Sequence, residues 1–78
     1  MNNYFYFSSD LSLVAALSLW YPIESVDKSN GRRVTFSFER TPELLESVAA
    51  YYRGELQIDP RVFFDHLKAV KTRLYAQD

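Results

Sequence analysis

Few side chains in this 78-residue sequence are suited to catalysis. His66 is the only histidine, and histidine is the commonest general base in enzymes. Its spacing places it beside the apolar seam of the last predicted helix, where a histidine at the core boundary needs no catalytic role. Ser8, Ser9 and Ser12 stand where helix capping accounts for them. With no cysteine and only scattered carboxylates, the sequence predicts no catalytic residues, metal site or cofactor, and no enzyme.

The last predicted helix carries a flank on which basic and aromatic residues alternate. Its members recur at intervals of three and four residues, which places them on one side of a helix. This basic-aromatic flank consists of Arg61, Phe64, Lys68, Lys71 and Tyr75. Cations that contact phosphates and rings that stack on bases are what a nucleic-acid strand requires. The alternative is that the rings complete the edge of the core while the lysine stems extend over it.

The first predicted helix has no charged residue from Leu11 through Trp20. Leu13, Ala16, Leu17 and Trp20 share one face, whereas Leu11 and Leu19 point elsewhere. A helix that is apolar on all sides has to be buried on more than one side. Either other helices of the same chain cover it, or a second copy or another protein does. In the second case the protein interface contains Leu11, Leu19 and Trp20.

The first predicted strand offers a weaker candidate, since Tyr4 and Tyr6 alternate with Phe5 and Phe7. Alternation sends the two pairs to opposite faces of the sheet, so one pair lines any face that is left open. Aromatic side chains on an open sheet can stack on bases. Three helices are also available to cover both pairs.

The elements that position these residues follow from propensity, alternation and helix capping. They are predicted as strands 3–7, 23–28 and 32–39 and helices 11–19, 42–53 and 60–76. The order β-α-β-β-α-α forms a single α+β domain over residues 1–78. A right-handed crossover through the first helix leaves room for the third strand in the centre, which gives a three-stranded, mainly antiparallel sheet of order 1-3-2.

One detail of the predicted hairpin conflicts with its hydrophobic pattern. Asn30-Gly31 is a strong signal for a two-residue turn. That turn would place Val26 on the face opposite Val34 and Phe36. A β-bulge or a longer loop restores Val26 to their face.

The composition excludes several protein classes. A content of 47% hydrophobic residues without cysteine means that packing has to supply the stability. The net charge of −1 argues against a dedicated nucleic-acid binder. The uncharged run Leu11–Ile23 is too short to cross a membrane, and the N-terminus lacks the basic start of a signal peptide. We expect a cytoplasmic protein with no membrane partner.

Most of the chain resembles a family of short uncharacterised proteins from bacteria, phages and mobile elements. The resemblance is carried by Phe7-Ser8-Ser9-Asp10-Leu11, Ala15-Ala16-Leu17, Arg33-Val34-Thr35-Phe36-Ser37-Phe38, Tyr52-Arg53-Gly54-Glu55-Leu56, Phe64, Leu67-Lys68, Lys71, Arg73 and Leu74-Tyr75. It implies no activity and no catalytic residues. It favours an accessory protein of a phage or mobile element.

Two functions remain open from the sequence. The first is a small non-enzymatic interaction module that binds another protein or itself. The second is an accessory protein that binds nucleic acid through the basic-aromatic flank.

Overall fold

Period-two alternation gives three strands and 3.6-residue periodicity gives three helices, in the predicted order. The computed structural model describes residues 4–31 and 33–76. The strands are β1 (Phe5–Ser8), β2 (Ser25–Asn30) and β3 (Arg33–Glu39), and the helices are α1 (Leu11–Leu17), α2 (Pro42–Tyr52) and α3 (Pro60–Tyr75). The α+β class and the element order are confirmed. Residues 1–3, 32, 77 and 78, at which some predicted boundaries fall, lie outside the described residues.

Strand β3 occupies the centre of the sheet, with β1 and β2 antiparallel to it on either side. The predicted order 1-3-2 is confirmed. Since β1 and β2 both lie at margins, the chain crosses from one margin to the other through α1.

The hairpin between β2 and β3 contains the bulge that the pattern requires. Val26 pairs directly with Phe36, and the register shifts between Asp27 and Asn30. The turn differs from the prediction by one position, because Asn30 pairs with Arg33 and so belongs to β2. Gly31 supplies the positive φ, at 64°, so Asn30 need not leave the strand.

All three helices begin at the predicted capping residues. The side chain of Asp10 accepts from the N–H groups of Ser12 and Leu13. Thr41 and Asp59 cap α2 and α3 in the same way, each followed by a proline in the first turn. These contacts satisfy backbone donors that a helix start leaves unpaired.

Helix α1 ends at Leu17, two residues earlier than predicted. The N–H groups of Leu19 and Trp20 bond to carbonyls three residues back, on Ala16 and Leu17. Such bonds form a tighter turn than an α-helix and commonly end one.

The hydrophobic core lies between the helices and one face of the sheet. All residues from Leu13 through Leu17 are buried, and α1 packs against both α3 and α2. The chain's own helices therefore cover most of the uncharged helix. The strand residues in or against the core share one face of the sheet: Tyr6, Val26, Val34, Phe36 and Phe38.

The opposite face of the sheet carries Phe5 and Phe7, which are both exposed. Of the two aromatic pairs in the first strand, the phenylalanines therefore line the open face. The molecule measures 18 Å along its shortest axis, which fits one sheet and one layer of helices. Within residues 4–31 and 33–76, no helix combines the length and apolar character needed to cross a membrane.

Candidate interaction surfaces

The three residues predicted for a protein interface lie at opposite ends of α1. Leu11, at the start, packs against the core. Leu19 and Trp20 lie in the turn that follows the helix, where Leu19 is half-buried and Trp20 is 50% exposed. The structure therefore does not bring the three together, and Trp20 is the residue among them that offers a large exposed apolar surface.

The five residues of the basic-aromatic flank are all exposed along α3. Phe64 is 56% exposed and Tyr75 is 73% exposed, so these rings do not complete the core. The Lys68 ammonium lies 5.1 Å from the centroid of the Phe64 ring, a cation–π contact. The flank can offer cations to phosphates, and the Phe64 ring face away from Lys68 can stack on a planar group.

His66 joins α3 to the end of α1. Its Nδ1 lies 3.0 Å from the Ser18 hydroxyl, which itself donates to the Ala15 carbonyl at 2.7 Å. Because the hydroxyl has one proton to give, Nδ1 is the donor in the contact with Ser18. In the part of the chain that the structure describes, no three potential metal ligands cluster. The side chain of His66 thus has a partner within the fold.

The outer margin of β1 is a further surface; the sequence indicated the aromatic side chains of this strand as a weaker candidate, but not its backbone edge. The Arg40 N–H donates to the Tyr4 carbonyl at 2.8 Å. In an antiparallel ladder, hydrogen-bonded pairs alternate with non-bonded pairs. Tyr6 and Ser8 therefore direct their backbone groups toward β3. The N–H and C=O groups of Phe5 and Phe7 point away from β3, toward the outer margin of the sheet.

Exposed aromatic side chains surround this margin. The Phe5 and Phe7 rings contact each other with centroids 6.3 Å apart, and Tyr4 and Tyr52 are largely exposed. Burial raises the pKa of Tyr6, and the nearby Tyr52 hydroxyl, at the end of α2, raises it further. We call the group of Tyr4, Phe5, Phe7 and Tyr52, with the outward backbone groups of β1, the β1 edge surface.

The outer margin of β2 has a different character. It carries Asp27 and Lys28 together with the bulge. The Lys28 ammonium donates to the Ala76 carbonyl at the end of α3, and Asp27 accepts from both the N–H and the hydroxyl of Ser29. The bonds from Ser29 lower the pKa of Asp27. Charges and bulges of this kind prevent edge strands from pairing with other chains.

The sequence contains a signal for the β1 edge surface. Residues 4–9 are uncharged and rich in aromatics, and the predicted order 1-3-2 already places β1 at a margin. Only the phase of the hydrogen-bond ladder, which fixes whether Phe5 and Phe7 or Tyr6 face outward, required the structure.

Comparison with known proteins gives a family and no activity. No curated protein and no solved structure matches the chain. One family model, described as a domain of unknown function (DUF5659), matches residues 2–76. The resemblance to a family of uncharacterised proteins is confirmed at this level. The chain belongs to the DUF5659 family.

Proposed function

We propose that this protein is a small non-enzymatic interaction module that binds a polypeptide at the β1 edge surface. The contrast between the two margins of the sheet carries the proposal. The β2 margin has charges, a bulge and a lysine bound to α3, whereas β1 has neither charge nor proline. When one margin of a sheet is blocked and the opposite margin can still pair, the second margin is suited to receive another strand.

Strand addition at this margin would use two kinds of contact. The outward backbone groups of Phe5 and Phe7 would supply main-chain hydrogen bonds to the incoming strand. The exposed rings of the same residues would supply apolar contact on the open face. Main-chain bonds provide affinity in this mode of recognition, and side-chain contacts provide specificity.

We further propose that the module is an accessory protein of a phage or mobile element and acts in the cytoplasm. The first point rests on the resemblance described above. The second rests on the absence of cysteine from the sequence, which fits a reducing compartment.

A photo-crosslinking pair tests the β1 edge surface. Benzoylphenylalanine is introduced in place of Phe7 in one variant and Phe64 in the other, in cells that carry the gene. The two sites are matched, because their native side chains are 54% and 56% exposed. We expect protein adducts from position 7 and few from position 64. Protein adducts from position 64 alone would contradict the assignment.

Nucleic-acid binding at the basic-aromatic flank is the second candidate, and the exposure of Phe64 and Tyr75 favours it. Three phosphate contacts, from Arg61, Lys68 and Lys71, imply a log–log salt slope of roughly −2 to −3. Such binding would be weak at physiological salt.

Fluorescence anisotropy with labelled single-stranded and duplex oligonucleotides, at low and moderate salt, tests this second candidate. Lys68→Glu should abolish binding, whereas Arg40→Glu changes the net charge equally at a site away from α3 and should retain most of it. Absence of binding even at low salt would eliminate this function. Equal loss in both variants would show that net charge, and not the flank, determines binding.

A further inference from the structure

We propose that the polypeptide received at the β1 edge surface is a second copy of this chain, with the two β1 strands antiparallel about a two-fold axis beside Tyr6. This inference rests on the proposed function and adds the identity of the partner. Three properties of the margin support it: its hydrogen-bonding pattern, its charge and its area.

The hydrogen-bonding pattern is self-complementary. Residues that exchange bonds across an antiparallel pair have to be those whose backbone groups point outward on both strands. On β1 these are Phe5 and Phe7, as the bond from Arg40 to Tyr4 indicates. With Tyr6 opposite Tyr6 of the other copy, Phe5 of each copy lies opposite Phe7 of the other. All the outward N–H and C=O groups of the two phenylalanines then find partners.

The strand presents no charge that would repel a copy of itself. Residues 5–8 are Phe, Tyr, Phe and Ser, so two such strands approach without like-charge contact. A two-fold axis perpendicular to the sheet keeps the helices of both copies on one side. Phe5 of one copy then contacts Phe7 of the other on the open face, as favourable cross-strand aromatic pairs do.

The area available is near what a stable dimer requires. An aromatic side chain buries about 150–250 Å². From the exposed fractions of Tyr4, Phe5, Phe7 and Tyr52, complete covering would remove roughly 700–1,200 Å² from solvent over two copies. The backbone of the strands adds to this value. The total thus comes close to the lower limit of the range for specific complexes, which is about 1,200–2,000 Å².

Sedimentation equilibrium of the purified chain from about 1 μM to about 1 mM measures the self-association. We expect a monomer–dimer equilibrium for the wild type. Phe7→Lys should weaken it at least about tenfold, a loss of about 1.4 kcal/mol. Phe64→Lys adds the same charge at an equally exposed site and should leave it unchanged. Circular dichroism confirms that each variant folds.

A double substitution tests the register. Phe5→Glu with Phe7→Lys in one chain places opposite charges across from each other at both pairs of the proposed dimer. Phe5→Lys with Phe7→Lys places like charges there. We expect the first chain to associate more strongly than the second at low salt, and the difference to shrink as salt rises. Equal association of the two chains would exclude this register and overturn the proposed dimer.

The outcomes separate this inference from the proposed function. A wild-type chain that stays monomeric up to about 1 mM overturns the second copy as partner. The proposed function survives that result if position 7 still crosslinks to another protein. A dimer that Phe64→Lys dissociates and Phe7→Lys leaves intact overturns the assignment of self-association to the β1 edge surface.

Discussion

At the scale of single residues, Gly31 determines how the hairpin closes. Its φ of 64° lies in the left-handed region, and among the described residues other than its chain neighbours no atom lies within 4 Å of where a Cβ would stand. The constraint at this position is therefore backbone conformation and not space. A β-branched residue pays for that conformation in strain, whereas asparagine tolerates it better.

We expect Gly31→Val to destabilise the domain by roughly 1–3 kcal/mol. Gly31→Asn, with a side chain of similar reach, should cost less. A change of about 1 kcal/mol shifts the melting temperature of a domain of this size by about 4–8 °C. Thermal melts followed by circular dichroism can therefore distinguish the two Gly31 variants. Equal melting temperatures for Gly31→Val and the wild type would show that the turn is not held by this residue.

Tyr6 gives a prediction in alkaline solution. Burial and the nearby Tyr52 raise its folded-state pKa above the ordinary value, so the unfolded chain ionises first as the pH rises. The stability that protonated Tyr6 contributes to the folded state is fully present below a pH of about 10, and it is lost as the pH rises through the folded pKa. The urea midpoint of the wild type should fall in this window. Tyr6→Phe should reduce this fall in the urea midpoint. If the fall is undiminished in that variant, groups other than Tyr6 cause it.

At the scale of elements, the hydrogen-bond ladder of β1 gives neighbouring residues different roles. The Ser8 N–H faces β3, whereas the Phe7 N–H faces outward. Proline removes the N–H, and sheets tolerate it where that group faces solvent. A proline at position 7 should therefore cost less folding stability than one at position 8.

The comparison requires an alanine baseline at each site, because Ser8 also accepts a bond from the Asp10 N–H. At each site we compare the folding stability of the proline variant with that of the alanine variant. We expect the loss from Ser8→Ala to Ser8→Pro to exceed the loss from Phe7→Ala to Phe7→Pro by at least about 1 kcal/mol. Denaturation at low protein concentration limits the contribution of association. The reverse order would mean that Phe7 and not Ser8 faces β3, and would remove the outward donors on which the proposed dimer depends.

The helices show how far sequence patterns reach. Capping residues and prolines predicted where α2 and α3 begin, because those signals act on adjacent backbone groups. The uncharged α1 was predicted to be buried on more than one side, and it is. Tertiary packing decides whether other elements of the chain or a second copy cover this helix. The sequence could therefore not distinguish Leu11 as a core residue from Leu11 as an interface residue. The structure packs it against the core.

At the scale of the whole molecule, strand order was predictable because chain connectivity permits few arrangements. The bulge near Asp27 was predictable as well, since Val26 had to rejoin the face of Phe36. Exposure was harder to predict. Phe64 and Phe7 have the residue type of core positions, and only the finished packing shows that each remains more than half exposed.

The strand order also has a consequence for how the chain folds. Strands β2 and β3 are neighbours in sequence, so their hairpin closes a short loop. Strand β1 can pair only after β3 has been synthesised, because among the described strands β3 is its only neighbour in the sheet. During synthesis the N-terminal strand leaves the ribosome first and stays without its native neighbour until residues 33–39 follow. In this interval the uncharged aromatic segment can meet the same segment of another nascent chain. We expect a pause in synthesis that leaves β1 outside the ribosome while residues 33–39 are still enclosed to promote aggregation, and a pause after β3 has emerged to have little effect.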